Sequence, residues 1–242
     1  MKKPQPYKRL LLKLSGEILM GSQQFGIQQD TSLALAKSIK EMRDADHEVA
    51  IVIGGGNFFR GINLKSIGVE RTPADHMGML ATLINGIGLQ QALSAVGCRA
   101  QVMSALECPK VAATYNWEKA LECLAACTVL IFVGGTGNPY FTTDTAAALR
   151  ASEINADIIL KATKVDGIFN KDPLKFSDAV KYDTMSYSQI LAEKLEVMDA
   201  TSIALCRSNK IPVLVFNMGL LGKMGIDAIL TQDHLGTLVK GE

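Results

Sequence analysis

Short apolar runs alternate with longer amphipathic stretches along most of the chain. Arg9-Leu10-Leu11-Leu12-Lys13-Leu14 and Val49-Ala50-Ile51-Val52-Ile53 read as strands, as do residues 99–103, 129–133, 157–161, 213–216 and 237–240. Residues 31–43 carry Leu35, Ile39 and Met42 at helical spacing, which predicts an amphipathic helix. A long helical pattern covers 73–96, with Pro73 in its first turn and Asp75 close behind. Further helices are predicted over 117–126, 143–154, 186–195, 200–209 and 223–230. Strands apolar on both faces and alternating with helices imply a mostly parallel sheet covered on both sides. The expected fold class is therefore α/β, a three-layer α/β/α sandwich. Neither a repeat nor a linker interrupts it, so one domain is expected, with a loose division into two lobes near Asn155.

Composition narrows the function more than the fold. A chain of 242 residues that is 48% hydrophobic can bury a sizeable core. Its net charge is +1 with acids and bases interspersed, so no basic face points to nucleic acid as a partner. No apolar run approaches the roughly 20 residues of a membrane span. The opening Met1-Lys2-Lys3-Pro4-Gln5-Pro6 has no signal-peptide apolar stretch, so a cytoplasmic location is expected. Cys98, Cys108, Cys123, Cys127 and Cys206 include no C-x-x-C pair; Cys123 and Cys127, one turn apart, leave a metal or redox role open beside the simpler reading of free thiols in a reducing cytosol. His47, His76 and His234 have no zinc-ligand spacing.

Two loops stand out. Gly134-Gly135-Thr136-Gly137-Asn138-Pro139-Tyr140-Phe141-Thr142-Thr143-Asp144 follows one apolar strand and leads into a helix. Gly54-Gly55-Gly56-Asn57 follows another. Ligands of open α/β sheets bind at the carboxyl ends of strands, and free N–H groups at helix starts attract phosphate. Two such loops suggest two phosphate-bearing groups and hence phosphoryl transfer. Neither the P-loop pattern, nor a G-x-G-x-x-G fingerprint, nor the protein-kinase H-R-D and D-F-G set is present.

Charged residues sit where such chemistry would need them. Lys13 lies in an apolar strand before Leu14-Ser15-Gly16, and Lys161 repeats the situation at the end of the 157–161 strand. A buried charge is costly unless partnered, so each reads as a cation facing phosphoryl oxygens; an exposed edge strand is the alternative for Lys13. Arg60 could fork onto a phosphate. Asp75 and Asp144 fall at predicted helix starts, where the helix dipole alone favours acids; Asp144 also directly follows the threonines of the glycine loop. The segment Lys161-Ala162-Thr163-Lys164-Val165-Asp166-Gly167-Ile168-Phe169, continuing to Asp172, is either a cover for an adenine or a solvated loop.

Together these segments resemble the bacterial uridylate kinases of the amino acid kinase superfamily. The matching residues are Lys13-Leu14-Ser15-Gly16-Glu17, Gly54-Gly55-Gly56-Asn57, Phe59-Arg60-Gly61, Asp75-His76-Met77-Gly78-Met79-Leu80-Ala81-Thr82, Gly135 through Asp144, Lys161 through Gly167, and Phe216-Asn217-Met218. The resemblance spans essentially the whole chain. It implies an amino acid kinase-like fold and ATP-dependent phosphorylation of UMP to UDP with Mg²⁺, in a homohexamer. It implies that residues 1–154 form the UMP side and 155–242 the ATP side. Lys13, Asp144 and Lys161 match the catalytic positions. Lys13, Leu14, Ser15, Gly16, Gly56, Arg60, Thr163, Phe169 and Asp172 match positions around ATP. Gly55, Asp75, Thr136, Gly137, Asn138, Pro139, Tyr140, Phe141, Thr142 and Thr143 match positions around UMP. UTP is expected to inhibit through the UMP loop. Relatives that respond to GTP hold it with basic residues; the matching Gln90, Ser94, Gln101 and Thr128 are uncharged here, so weak or absent GTP activation is expected.

The chemistry agrees. A phosphate monoester acceptor, with a second pKa of about 6, is already ionised at neutral pH and needs no base. Catalysis then rests on alignment and charge neutralisation. Two rival readings remain: a sister kinase acting on carbamate or an amino-acid carboxylate, and a non-catalytic nucleotide-binding protein of the same fold.

Overall fold

The computed structural model describes residues 7–59, 68–193, 195 and 197–241. Its centre is a nine-stranded sheet. The strands are β1 (Arg9–Leu14), β2 (Glu48–Ile53), β3 (Ala100–Ser104), β4 (Ala113–Thr114), β5 (Val129–Val133), β6 (Ile158–Thr163), β9 (Thr184–Met185), β10 (Val213–Asn217) and β11 (Gly236–Val239). A separate two-stranded hairpin is made by β7 (Ile168–Phe169) and β8 (Lys181–Tyr182). The order in the large sheet is β4-β3-β5-β2-β1-β6-β10-β11-β9, and every pairing is parallel except β10 with β11.

Strand periodicity sorts the core into two layers. Leu10, Leu12 and Leu14 of β1 pack on one face with Ile51, Ile53, Leu160 and Phe216. That face is covered by α1 (Gln29–Asp44), α2 (Arg71–Ala95) and α7 (Ile226–Thr231). Leu11 points the other way and packs with Ala50, Val52, Leu130 and Ile159. Here the cover is α3 (Trp117–Ala125), α4 (Thr143–Glu153), α5 (Tyr187–Ala192) and α6 (Ala200–Ser208). Each fully buried leucine contributes about 1.5–3 kcal/mol by leaving water.

The helices start where local chemistry tells them to. Asn116 caps α3 by accepting the Lys119 N–H at 2.9 Å, and Ser186 with Gln189 forms a capping box on α5. The Asp199 side chain accepts the Ser202 N–H at 2.9 Å at the start of α6.

Most predicted elements lie within two residues of the observed ones. Helix α5 is shorter than the 186–195 pattern, and α7 begins at Ile226 rather than 223. The 157–161 strand runs on to Thr163, so Lys161 lies inside β6 rather than at its end. The two-residue strands β4, β7, β8 and β9 carry too little pattern to be read from sequence.

Sheet order decides where a ligand can sit. Strand β1 has β2 on one side and β6 on the other, and α4 carries the chain from β5 across to β6. Loops leaving β1, β2, β5 and β6 therefore emerge at one edge around a topological switch, the standard crevice of open α/β sheets.

Candidate active site

Register and parity build the centre of the crevice. Lys13 of β1 and Lys161 of β6 are paired across the parallel ladder. Both sit on the Leu11–Ile159 face, which α4 covers. Asp144, the second residue of α4, meets both ammonium groups. Lys13 Nζ lies 2.7 Å from Asp144 Oδ1, and Lys161 Nζ lies 2.7 Å from Asp144 Oδ2. Lys161 also donates to the Val197 carbonyl at 2.6 Å. The three side chains are only 13%, 12% and 15% exposed, for Lys13, Lys161 and Asp144 in turn. The contact at Oδ1 is a charge contact rather than a directed hydrogen bond.

This cluster has two cations and one anion. Burial pushes the Asp144 carboxyl upward, but Lys13 and Lys161 together outweigh it and hold it below the ordinary carboxylate value. Lys161 is pulled below the ordinary lysine value, first by burial and then by repulsion from Lys13, against the attraction of Asp144. Asp144 alone faces both ammonium groups in direct contact, and Asp199, beyond contact distance, offsets part of the remaining charge on Lys161. The surplus positive charge, nearly removed from water, is what an incoming phosphoryl group would neutralise.

A further carboxylate anchors this arrangement. Asp199 accepts from Thr145 Oγ1 at 2.9 Å and from Thr142 Oγ1, and so pins the start of α4 that carries Asp144. Sequence reading missed Asp199 because its partners lie more than fifty residues away.

A cavity of about 490 Å³ opens beside the cluster. Its walls include Gly55, Gly56, Phe59, Arg71, Asp75, Thr136, Asn138, Phe141, Thr142 and Thr143. Asp75 is the fifth residue of α2, past the first turn, so the helix dipole does not account for it. Its carboxylate accepts from Arg71 Nε at 2.7 and 2.9 Å and from the Tyr140 N–H at 2.7 Å. Tyr140 has a φ of 71°, a left-handed conformation that costs a bulky residue on the order of 1–3 kcal/mol. The bond from Asp75 helps hold that strained turn. Gly137, Pro139 and Tyr140 belong to the same loop but are not among the residues lining the cavity. Gly56, expected on the ATP side, lines this cavity beside Gly55.

A second cavity of about 540 Å³ is lined by Lys161, Thr163, Gly167, Phe169, Lys171, Asp172, Lys175 and Val197 among others. Lys161 thus belongs to the central cluster and to this cavity. Thr163 Oγ1 donates to the Val165 carbonyl at 2.7 Å and shapes the turn after β6. Ser15 caps the short 3₁₀ turn after β1, accepting the Glu17 N–H at 3.3 Å. A side chain at Gly16 would collide with Asn57 and Asn85, so only glycine fits there. The Leu14 side chain is fully buried, and its carbonyl accepts the Gly54 N–H at 2.9 Å; any contact from it to a ligand falls to backbone. Lys164 pairs with Glu17 at 2.6 Å and links the loops after β6 and β1. Arg60 lies outside the described residues. His76 is exposed on α2. Among the described residues, no three His, Cys, Asp or Glu side chains gather as a metal cage would require.

Comparison with known proteins gives the same answer at every level. The family model described as "Amino acid kinase family" matches residues 8–217. The uridylate kinase of Protochlamydia amoebophila (strain UWE25) is 65% identical over 232 residues, covering 96% of this chain and 92% of that protein. The uridylate kinase of Dichelobacter nodosus (strain VCS1703A) is 48% identical over 238 residues, covering 98% of each. Among solved structures, UMP kinase from Ureaplasma parvum superposes with a TM-score of 0.91 at 36% identity, covering 97% of this chain and 99% of that one. UMP kinase from Bacillus anthracis gives 0.92 at 35%, covering 97% and 96%. The chain belongs to the amino acid kinase family, and within it to the uridylate kinases.

Proposed function

We propose that the protein transfers the γ-phosphoryl group of ATP directly to UMP, giving ADP and UDP, as a step of pyrimidine nucleotide synthesis. The observation that carries this reading is the buried Lys13–Asp144–Lys161 cluster set beside two separate cavities. UMP would occupy the first cavity, with its ribose hydroxyls donating to Asp75 and its base against the 136–143 loop. ATP would occupy the second, with adenine beside Phe169 and Asp172 and its phosphates reaching Lys13, Lys161 and the Ser15–Gly16 turn. On this assignment residues 1–154 form the acceptor lobe and 155–242 the donor lobe.

The acceptor oxygen belongs to an already ionised phosphate, so no residue has to remove a proton. What remains is to hold two polyanions in line and to match the charge that spreads over the transferring group. Lys13 and Lys161 supply fixed positive charge in a nearly dry site, where it acts without reorganisation. Asp144 keeps both lysines extended toward the junction. Mg²⁺, the expected companion of ATP, neutralises phosphate charge when bound. The donor set fits an ion held by phosphate oxygens and water, with Asp144 as the carboxylate at the junction, better than a resident metal.

Further parts of the reading concern assembly and control. A homohexamer is proposed; Leu80 and Ile84, four residues apart on α2 and 54% and 50% exposed, offer an apolar strip for contact between copies. UTP would inhibit by competing for the UMP loop. Activation by GTP is expected to be weak, since the amides of Gln90 and Gln101 already donate to the carbonyls of Ala100 and Val102 and carry no charge. No helix among the described residues is long and apolar enough to cross a membrane. The five free thiols suit the reducing cytoplasm proposed as its location.

A coupled assay of ADP release with UMP, CMP, AMP and glutamate analogues tests the assignment. UMP is expected to be the preferred acceptor. Turnover with a carboxylate acceptor and none with UMP would reject it.

A further inference from the structure

The long helix α2 holds both glycine loops, and it does so with polar side chains that the chemistry above leaves unassigned. Its buried face is largely apolar, with Leu83, Leu89 and Leu93 in the core. Thr82 and Asn85, one turn apart, interrupt that face, and both are buried. Buried polar groups are costly unless they find partners. Apart from one carbonyl of the helix itself, the partners here are loop atoms. Thr82 Oγ1 accepts the Gly134 N–H at 2.7 Å and donates to the Met79 carbonyl at 2.6 Å. Asn85 Nδ2 donates to the Gly54 carbonyl and to Asn57 Oδ1, both at 2.7 Å. Asn57 Nδ2 returns a bond to Asn85 Oδ1 at 2.8 Å and another to the Gly26 carbonyl at 2.8 Å.

Helix α2 therefore grips the first residue of each loop, Gly54 after β2 and Gly134 after β5. Backbone packing reinforces the grip. A Cβ at Gly55 would come within 2.7 Å of the Gly78 carbonyl and 2.8 Å of Ala81 Cβ. If these positions served packing alone, apolar side chains would fill them without polar atoms to satisfy. Instead each polar atom is aimed at a loop that borders the first cavity.

We propose that Thr82 and Asn85 are positioning residues for phosphoryl transfer. They set the spacing between the two glycine loops that wall the first cavity, so that the group bound there is held in line for transfer. This rests on the reading of the crevice as a phosphoryl-transfer site. Thr82 also lines the first cavity, whereas Asn85 does not; the polar atoms of both are committed to the loops, Thr82 to the Gly134 N–H and Asn85 to the Gly54 carbonyl, so each acts through loop backbone. A misplacement of about 1 Å in such a site costs on the order of a hundredfold in rate.

Thr82→Val keeps the side chain's shape but removes the acceptor for the Gly134 N–H. Thr82→Ser keeps the acceptor but loses a methyl group from the core. The experiment measures kcat, both KM values and the melting temperature for wild type and both variants. Thr82→Val is expected to lower kcat about ten- to a hundredfold, with KM for ATP near its wild-type value. Thr82→Ser is expected to restore most of kcat although its melting temperature also falls. Asn85→Asp, which keeps the acceptor for Asn57 and loses the donor to Gly54, is expected to lower kcat per folded molecule in the same way. Wild-type kcat per folded molecule in Thr82→Val, or a Thr82→Ser variant as slow as Thr82→Val, would overturn the proposal. Wild-type protein that makes no UDP from UMP would instead overturn the functional reading beneath it.

Discussion

The two cavities are nearly equal in size, about 490 and 540 Å³, but they are held in different ways. The first is walled by glycine loops tied to α2 through Thr82, Asn85 and Asp75. Two of those ties are buried, where water does not compete. The second is walled by the turn after β6, a two-stranded hairpin and the loop beyond it. Apart from Lys161 at its inner end, its charged contacts are surface ion pairs, Lys171 with Asp178 at 2.5 Å and Lys175 with Asp172 at 3.4 Å. Exposed pairs of this kind contribute about 0–1 kcal/mol each. A preorganised backbone suits selection of one acceptor by shape. Lysines at the surface of an open cavity suit a polyphosphate held by charge. On the proposed assignment, the division of labour between acceptor and donor follows which hydrogen bonds are shielded from water.

The largest effect is expected where the two regions meet. Lys13→Ala should lower kcat by about 10²–10³, with the fold retained by circular dichroism. Near-normal kcat with only a raised KM for ATP would mean that the cluster is not shared. A pH profile addresses the other lysine. The folded pKa of Lys161 lies below the ordinary lysine value, so its charge is lost earlier as pH rises. The kcat/KM profile, which reports the free enzyme, should fall on an alkaline limb below the range of an unperturbed lysine, and Lys161→Arg should move that limb upward. An unmoved limb would assign the titration elsewhere. The same shift has a stability consequence. Between the lowered folded pKa and the unfolded value, the unfolded chain binds the extra proton, so stability should rise with pH through that window.

Two smaller changes separate the cavities. Asp75→Asn should raise KM for UMP on the order of tenfold and leave KM for ATP nearly unchanged. Equal loss for both nucleotides would erase the contrast. Lys171→Ala should do the reverse and more weakly, raising KM for ATP about two- to fivefold because an exposed charge contributes little. A larger effect on UMP than on ATP would show that the second cavity is not the donor side.

The architecture was legible because period and parity are local properties. The Leu10-Leu11-Leu12 run announces a strand buried on both faces, and Leu35, Ile39 and Met42 announce one face of a helix. Lys13 and Lys161 were legible as misfits in apolar strands. Their pairing through Asp144 depends on ladder register, which single-strand patterns do not carry. Thr82 lay inside a recognised motif, yet its partner Gly134 is more than fifty residues away. Asn85 and Asp199 were invisible for the same reason: a buried amide or a cap looks like any other polar residue until the fold supplies its partners. The short strands near 168–185 failed for a different reason, since two residues hold no period.

The central claim is direct, in-line transfer between two nucleotides held in two cavities around one charged cluster. The most direct measurement uses ATP made chiral at the γ-phosphorus with oxygen isotopes, with UMP as acceptor and the configuration of the UDP β-phosphoryl read out. A single in-line displacement predicts inversion. Retention would require a phosphorylated protein intermediate and would contradict the account.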